Sequence, residues 1–159
     1  MISFDTNLLL YSLNRDCPEH AAARVFFDSL PVAGAVAICE LVLIELYVLL
    51  RNPAVLKQPL DAADAASLVQ TFRQHPTWRL IDYPGANSTV MDEVWRMAAQ
   101  PHLGRRVVFD ARLALTLRHH GVTEFATRNE SHFTSFGFAR VWNPMGQSKA
   151  EKLNARRRT

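Results

Sequence analysis

Cysteine is scarce: the chain of 159 residues carries two, Cys17 and Cys39. They lack CxxC spacing, which excludes a disulfide framework and a thiolate zinc site and fits a reducing cytoplasm. A long hydrophobic run is also missing. The longest candidate, LVLIELYVLL, is interrupted by Glu45 and falls short of the roughly eighteen apolar residues that a membrane span needs. No basic segment precedes the apolar start of the chain, so a secretory leader is not expected. These absences predict a soluble, cytoplasmic protein that is neither secreted nor membrane-bound. No GxSxG elbow is present to support a serine hydrolase. The adjacent His119 and His120 cannot both face one metal from a helix and read as polar residues near a helix C-terminus.

A net positive charge is also missing from the body of the chain. Residues 147–159 hold five basic residues against Glu151, whereas residues 1–146 hold thirteen bases against fourteen acids. The net charge of +3 is therefore a property of the tail, and charge alone argues little for a nucleic-acid partner. We expect one domain over 1–146 and a basic, flexible tail over 147–159. With 48% hydrophobic residues, a chain of this size can bury a core unaided.

Apolar runs alternate with helical patterns. ISF, AVAI, WRLIDY, TEFAT and FARVW read as strands. Helices are predicted after Asn7, in HAAARVFFDSL, in LVLIELYVLLRNP up to Pro53, and in LDAADAASLVQTFRQH up to Pro76. Two more follow: ANSTVMDEVWRMAAQ, capped near Asn87 or Ser88, and DARLALTLRHHG, entered from VVF with Asp110 at its start and Gly121 past its end. Short strands separated by helices predict an α/β fold in three layers, with a mostly parallel central sheet flanked by helices. Ligands in such folds sit beyond the carboxyl ends of the strands.

That placement directs attention to the acids in apolar settings. Asp5 ends the first strand, Glu45 lies among aliphatic residues in mid-helix, and Asp110 follows VVF. Carboxylates brought together repel, and a hard divalent cation such as Mg²⁺ or Mn²⁺ relieves the repulsion. Each acid also has a plainer reading. Asp5 and Asp110 fit as helix N-caps, and Glu45 fits a buried pair with Arg51, Arg73 or Arg112. Glu40 competes with Glu45, but five residues place the two about 140° apart on one helix. The interaction of an acid with a helix N-terminus explains Glu40 adequately, so Glu45 is preferred for the site.

FDTNLLLY, LIELYVLLRNP, FDARLALTLRHHGV and FATRNESHF followed by FARVWNP occur in an order and spacing that resemble the PIN-domain ribonucleases, and within them the VapC-like toxins of type II toxin–antitoxin systems. The resemblance covers most of the chain. It implies a metal-dependent endoribonuclease in which Asp5, Glu45 and Asp110 bind Mg²⁺ or Mn²⁺ and cut RNA to 5′-phosphate and 3′-hydroxyl ends. Thr6, Asn7, Thr127 and Asn129 would support the acids. It further implies a homodimer and a small antitoxin that covers the site. The last motif departs from the pattern: TRNESHF offers Asn129 and His132 where many relatives have a fourth acid. A non-catalytic PIN-like module binding RNA or protein is therefore an alternative. A haloacid-dehalogenase-type phosphatase is another, although it requires a second Asp where this chain has Asn7.

Overall fold

A computed structural model describes residues 1–31, 34–85, 88–101 and 104–146. The expected tail, 147–159, and the expected cap Asn87 lie outside these residues. Five three-residue strands, β1 (Ile2–Phe4), β2 (Ala37–Cys39), β3 (Arg79–Ile81), β4 (Glu124–Ala126) and β5 (Arg140–Trp142), are each recovered near the predicted positions. All the paired strands run parallel: β1 with β4, β4 with β5, and β2 with β3. A single parallel bridge between Ile2 and Val36 joins the two groups, giving the order β3-β2-β1-β4-β5. The chain thus moves outward from β1 in one direction and then resumes on its other side at β4. The crevice at such a reversal is where open parallel sheets place their ligands.

The helices are α1 (Thr6–Leu13), α2 (His20–Asp28), α3 (Glu40–Leu50), α4 (Ala62–Arg73), α5 (Val90–Ala98), α6 (Val107–His119) and the short α7 (Glu130–Phe133). Together they flank the sheet to complete a three-layer α/β fold. Phe4, Leu8, Leu9, Ile38, Leu43, Leu46, Leu117, Phe125 and Phe133 are essentially solvent-free in the core. Each such side chain contributes about 1.5–3 kcal/mol by leaving water. Among the described residues no helix is long and apolar enough to cross a membrane.

Two boundaries differ from expectation. VVF is the first turn of α6, so Asp110 is its fourth residue and Arg106 occupies the cap position. Val and Phe favour strands only weakly; here a turn from Val107 N–H to the Gly104 carbonyl starts the helix. Asp110 therefore does not cap, although an acid in the first turn still suits the helix dipole. Helix α5 has Thr89 at its cap position without a side-chain bond, and Ser88 instead donates to the Tyr83 hydroxyl. By contrast Asp61 caps α4 through the Asp64 N–H at 2.8 Å.

Candidate active site

The register of the sheet builds the floor of the site. Phe4 pairs with Ala126, and Asp5 N–H donates to the Ala126 carbonyl at 2.9 Å. The residues immediately past the two strands, Asp5 and Thr127, are therefore side by side at the reversal of the sheet. Thr127 Oγ1 donates to Asp5 Oδ2 at 2.6 Å, and Asn7 Nδ2 donates to the same oxygen at 2.8 Å. The Thr6 N–H donates to Asp5 Oδ1 at 2.8 Å, placing Asp5 at the N-cap position of α1. The cap reading and the site reading of Asp5 are thus compatible.

Asp5 is 9% exposed. Burial, reinforced by the charges of Glu45 and Asp110, pushes its carboxyl from the usual 3.8 up to about 6, while the Thr127 and Thr6 hydrogen bonds act in the opposite sense. The neighbouring charges identify the other two acids as close enough to be felt.

Those two acids stand on helices above the floor. Glu45 on α3 accepts a 2.6 Å hydrogen bond from Thr6 Oγ1. Its setting differs from the buried one expected of an acid ringed by aliphatics: Glu45 is exposed, as are its neighbours Ile44 and Val48. An apolar helix is not necessarily a buried one, and one side of α3 opens onto a cleft. The proposed arginine partners of Glu45 are also otherwise engaged or distant from it. Arg51 donates to the Tyr47 hydroxyl, Arg73 pairs with Glu40 at 2.6 Å, and Arg112 lies over the Tyr83 ring.

Asp110 on α6 is half-buried, and His132 Nδ1 lies 3.2 Å from its Oδ2. Burial raises the Asp110 carboxyl and His132 partly offsets the rise. This contact was not visible in the sequence, where His132 stood only near the place of the fourth acid. It depends on α7, a single turn that brings residue 132 back over α6.

Asp5, Thr6, Asn7, Glu45, Asp110 and Asn129 line one cleft of about 460 Å³. Thr127 supports it from beneath through Asp5. Glu40 does not line it and is held outward by Arg73. Tyr11 and Arg112 also line the cleft, and sequence reasoning assigned neither to it. Arg128 is tied to the cleft-lining Tyr11, donating to its hydroxyl at 2.9 Å, and pairs with Glu19. The only available hint was its position between Thr127 and Asn129.

The donor set is all oxygen, as a hard divalent cation requires, and the carboxylates repel one another in the absence of a positive charge. Among the described residues no three His, Cys, Asp or Glu side chains are gathered closely enough to hold an ion as they stand. Thr6 and His132 instead occupy Glu45 and Asp110.

The PIN-domain family model matches residues 2–138. The chain is 58% identical over 145 residues to Ribonuclease VapC24 of Mycobacterium tuberculosis, in two strains, spanning 91% of this chain and 97% of the relative. Two solved structures share the fold. FitAcB from Neisseria gonorrhoeae aligns with a TM-score of 0.65 at 22% identity, covering 92% of this chain and 100% of that one. Mycobacterium tuberculosis VapC20, a sarcin–ricin loop cleaving toxin, aligns with a TM-score of 0.60 at 18% identity, covering 79% and 87%.

Proposed function

The chain belongs to the PIN-domain family, and on that footing we propose that it is a Mg²⁺- or Mn²⁺-dependent endoribonuclease, the toxin of a toxin–antitoxin pair. The observation that carries this reading is the convergence of Asp5, Glu45 and Asp110, from three separate elements, on one cleft at the reversal of the sheet. The 58% identity to a relative named as a VapC ribonuclease supports the same activity.

A divalent cation supplies positive charge at the phosphodiester and lowers the pKa of water, so no nucleophilic side chain is required. Asp5 and Asp110 would hold it directly. Glu45, the most exposed of the three, either joins them or orients the attacking water. Thr6, Asn7 and Thr127 fix carboxylate orientation through the hydrogen bonds already described, an outer-shell role that tunes affinity and activity. Asn129 offers its amide where many members of the family have an acid, and His132 positions Asp110. Hydrolysis leaves a 5′-phosphate and a 3′-hydroxyl.

The antitoxin partner is what membership of the family implies, and the walls of the cleft support it. Ile44 is 62% exposed and Phe109 is 70% exposed beside the acids. A small antitoxin that covered these apolar residues and placed a basic side chain among the carboxylates would replace the cation and inhibit. The proposal includes one domain over 1–146, a homodimer, a cytoplasmic setting and an RNA substrate. The test is mapping of RNA ends in cells expressing the wild type or Asp5→Asn, each with and without the neighbouring encoded small protein. New 5′-phosphate ends confined to the wild type alone are expected; equal cleavage by Asp5→Asn contradicts the assignment of Asp5.

A further inference from the structure

Among the described residues Arg112 is the only cation lining the acid-bearing cleft. Arg73, Arg96 and Arg128 are each paired with a glutamate, whereas Arg112 makes no ion pair with a described residue, although three acids line the same cavity. Helical geometry explains the separation. Two residues along α6 place Arg112 and Asp110 about 160° apart, on opposite flanks of a face centred on Phe109 and Leu113. Arg112 turns away from Asp110 and lies with its guanidinium 5.7 Å from the centre of the Tyr83 ring. A cation held over an aromatic face is oriented without being neutralised. Its Nε is buried and has no partner among the described residues, a polar group that a native structure has to account for.

We propose that Arg112 grips a phosphate of the RNA strand next to the scissile one. It acts as a substrate-binding residue that sets the strand's register across the carboxylates. This deepens the nuclease reading and rests on it for the identity of the strand. An RNA chain presents phosphates on both sides of the bond being cut, and the carboxylates repel every one of them not shielded by a cation. A single positive group on the far flank of the cleft offsets that repulsion at one defined place. Arginine suits the task because its planar fork matches phosphate oxygens. The Tyr83 ring keeps the fork from folding onto the acids.

The test measures binding of a mixed-sequence single-stranded RNA oligonucleotide as a function of salt, in an Asp5→Asn background that prevents cutting. Arg112→Ala should weaken binding by roughly tenfold and make the slope of log affinity against log salt shallower by about 0.7, the increment for one phosphate contact on a single strand. Arg112→Lys should retain the slope, because its charge remains, while cleavage in the otherwise wild-type protein slows through loss of the fork. An unchanged slope in Arg112→Ala, with only a lower melting temperature, would make Arg112 a prop for the Tyr83 loop and overturn the proposal. The two readings separate cleanly. A wild type that binds RNA with an Arg112-dependent slope but never cuts removes the nuclease reading and keeps the Arg112–phosphate contact, with no scissile bond whose register it could set. A wild type that cuts with an Arg112-independent slope does the reverse.

Discussion

The floor and the walls of the cleft are built on different principles. The floor is over-determined: three donors hold Asp5, and the β1–β4 register leaves its carboxylate little choice of position. The walls are loosely tied, with Glu45 held by Thr6 and Asp110 by His132. Rigid positioning has an electrostatic cost, because the same burial that fixes Asp5 pushes its carboxyl up to about 6. The helix-borne acids retain more solvent and more freedom. In the proposed cation site, such a division would hold one ligand fixed and leave the other two free to adjust.

The largest effect that would break this contrast belongs to the floor. Asp5→Asn should retain the circular dichroism of the fold, since Asn also serves as an N-cap. It should lower RNA cleavage by more than about 100-fold, exceeding the loss typical of an outer-shell partner. Cleavage near the wild-type rate would show the floor to be dispensable. Thr127→Val comes next. It removes a buried donor to Asp5, with an expected loss of 10–100-fold in activity and about 1–3 kcal/mol in stability, read by denaturant titration.

A pH comparison sharpens the electrostatic half of the contrast. In cation-free protein the folded pKa of Asp5 lies above the unfolded one, so the folded chain binds the proton more tightly between pH 3.8 and about 6. Its contribution to stability is complete below about pH 4 and is lost as pH rises through 6. The loss is on the order of 3 kcal/mol. The stability difference between wild type and Asp5→Asn, measured with chelator from pH 4 to 8, should therefore move against the wild type by that amount; a flat difference would remove the burial argument. The smallest effect is expected outside the cleft. Glu40→Gln breaks an ion pair with the partly exposed Arg73 and should cost under about 1 kcal/mol, with cleavage unchanged.

Much of the fold could be read from the chain because its signals are local. ISF and TEFAT are short apolar runs, and Pro53 and Pro76 mark where helical patterns stop. Asp5 was legible for the same reason, at the end of a strand and the start of a helix. Glu45 was reached by a faulty route: burial was inferred from its aliphatic neighbours, whereas Ile44 and Val48 are exposed beside it. Sequence shows that a helix is apolar all round but not which side meets a cleft. Asp110 was placed at the start of its helix, with VVF leading in, because the Gly104 turn that starts the helix at Val107 was not recognised. The His132–Asp110 contact and the Arg128–Glu19 pair, with sequence separations of 22 and 109, depend on tertiary placement that no local pattern records. Asn129 and Thr127 were found through family resemblance; the register of β1 against β4 supplies the physical reason that Thr127 meets Asp5.

The central claim, that these carboxylates form a cation site for hydrolysis of RNA, is tested most directly by incubating purified protein with a defined single-stranded RNA. The reactions contain Mg²⁺, Mn²⁺ or chelator, and the chemistry of the new ends is determined. Fragments with 5′-phosphate and 3′-hydroxyl ends, formed with either cation and absent with chelator or with Asp5→Asn, are the expected result. Cleavage that persists in chelator, or that leaves 2′,3′-cyclic phosphate ends, would contradict it.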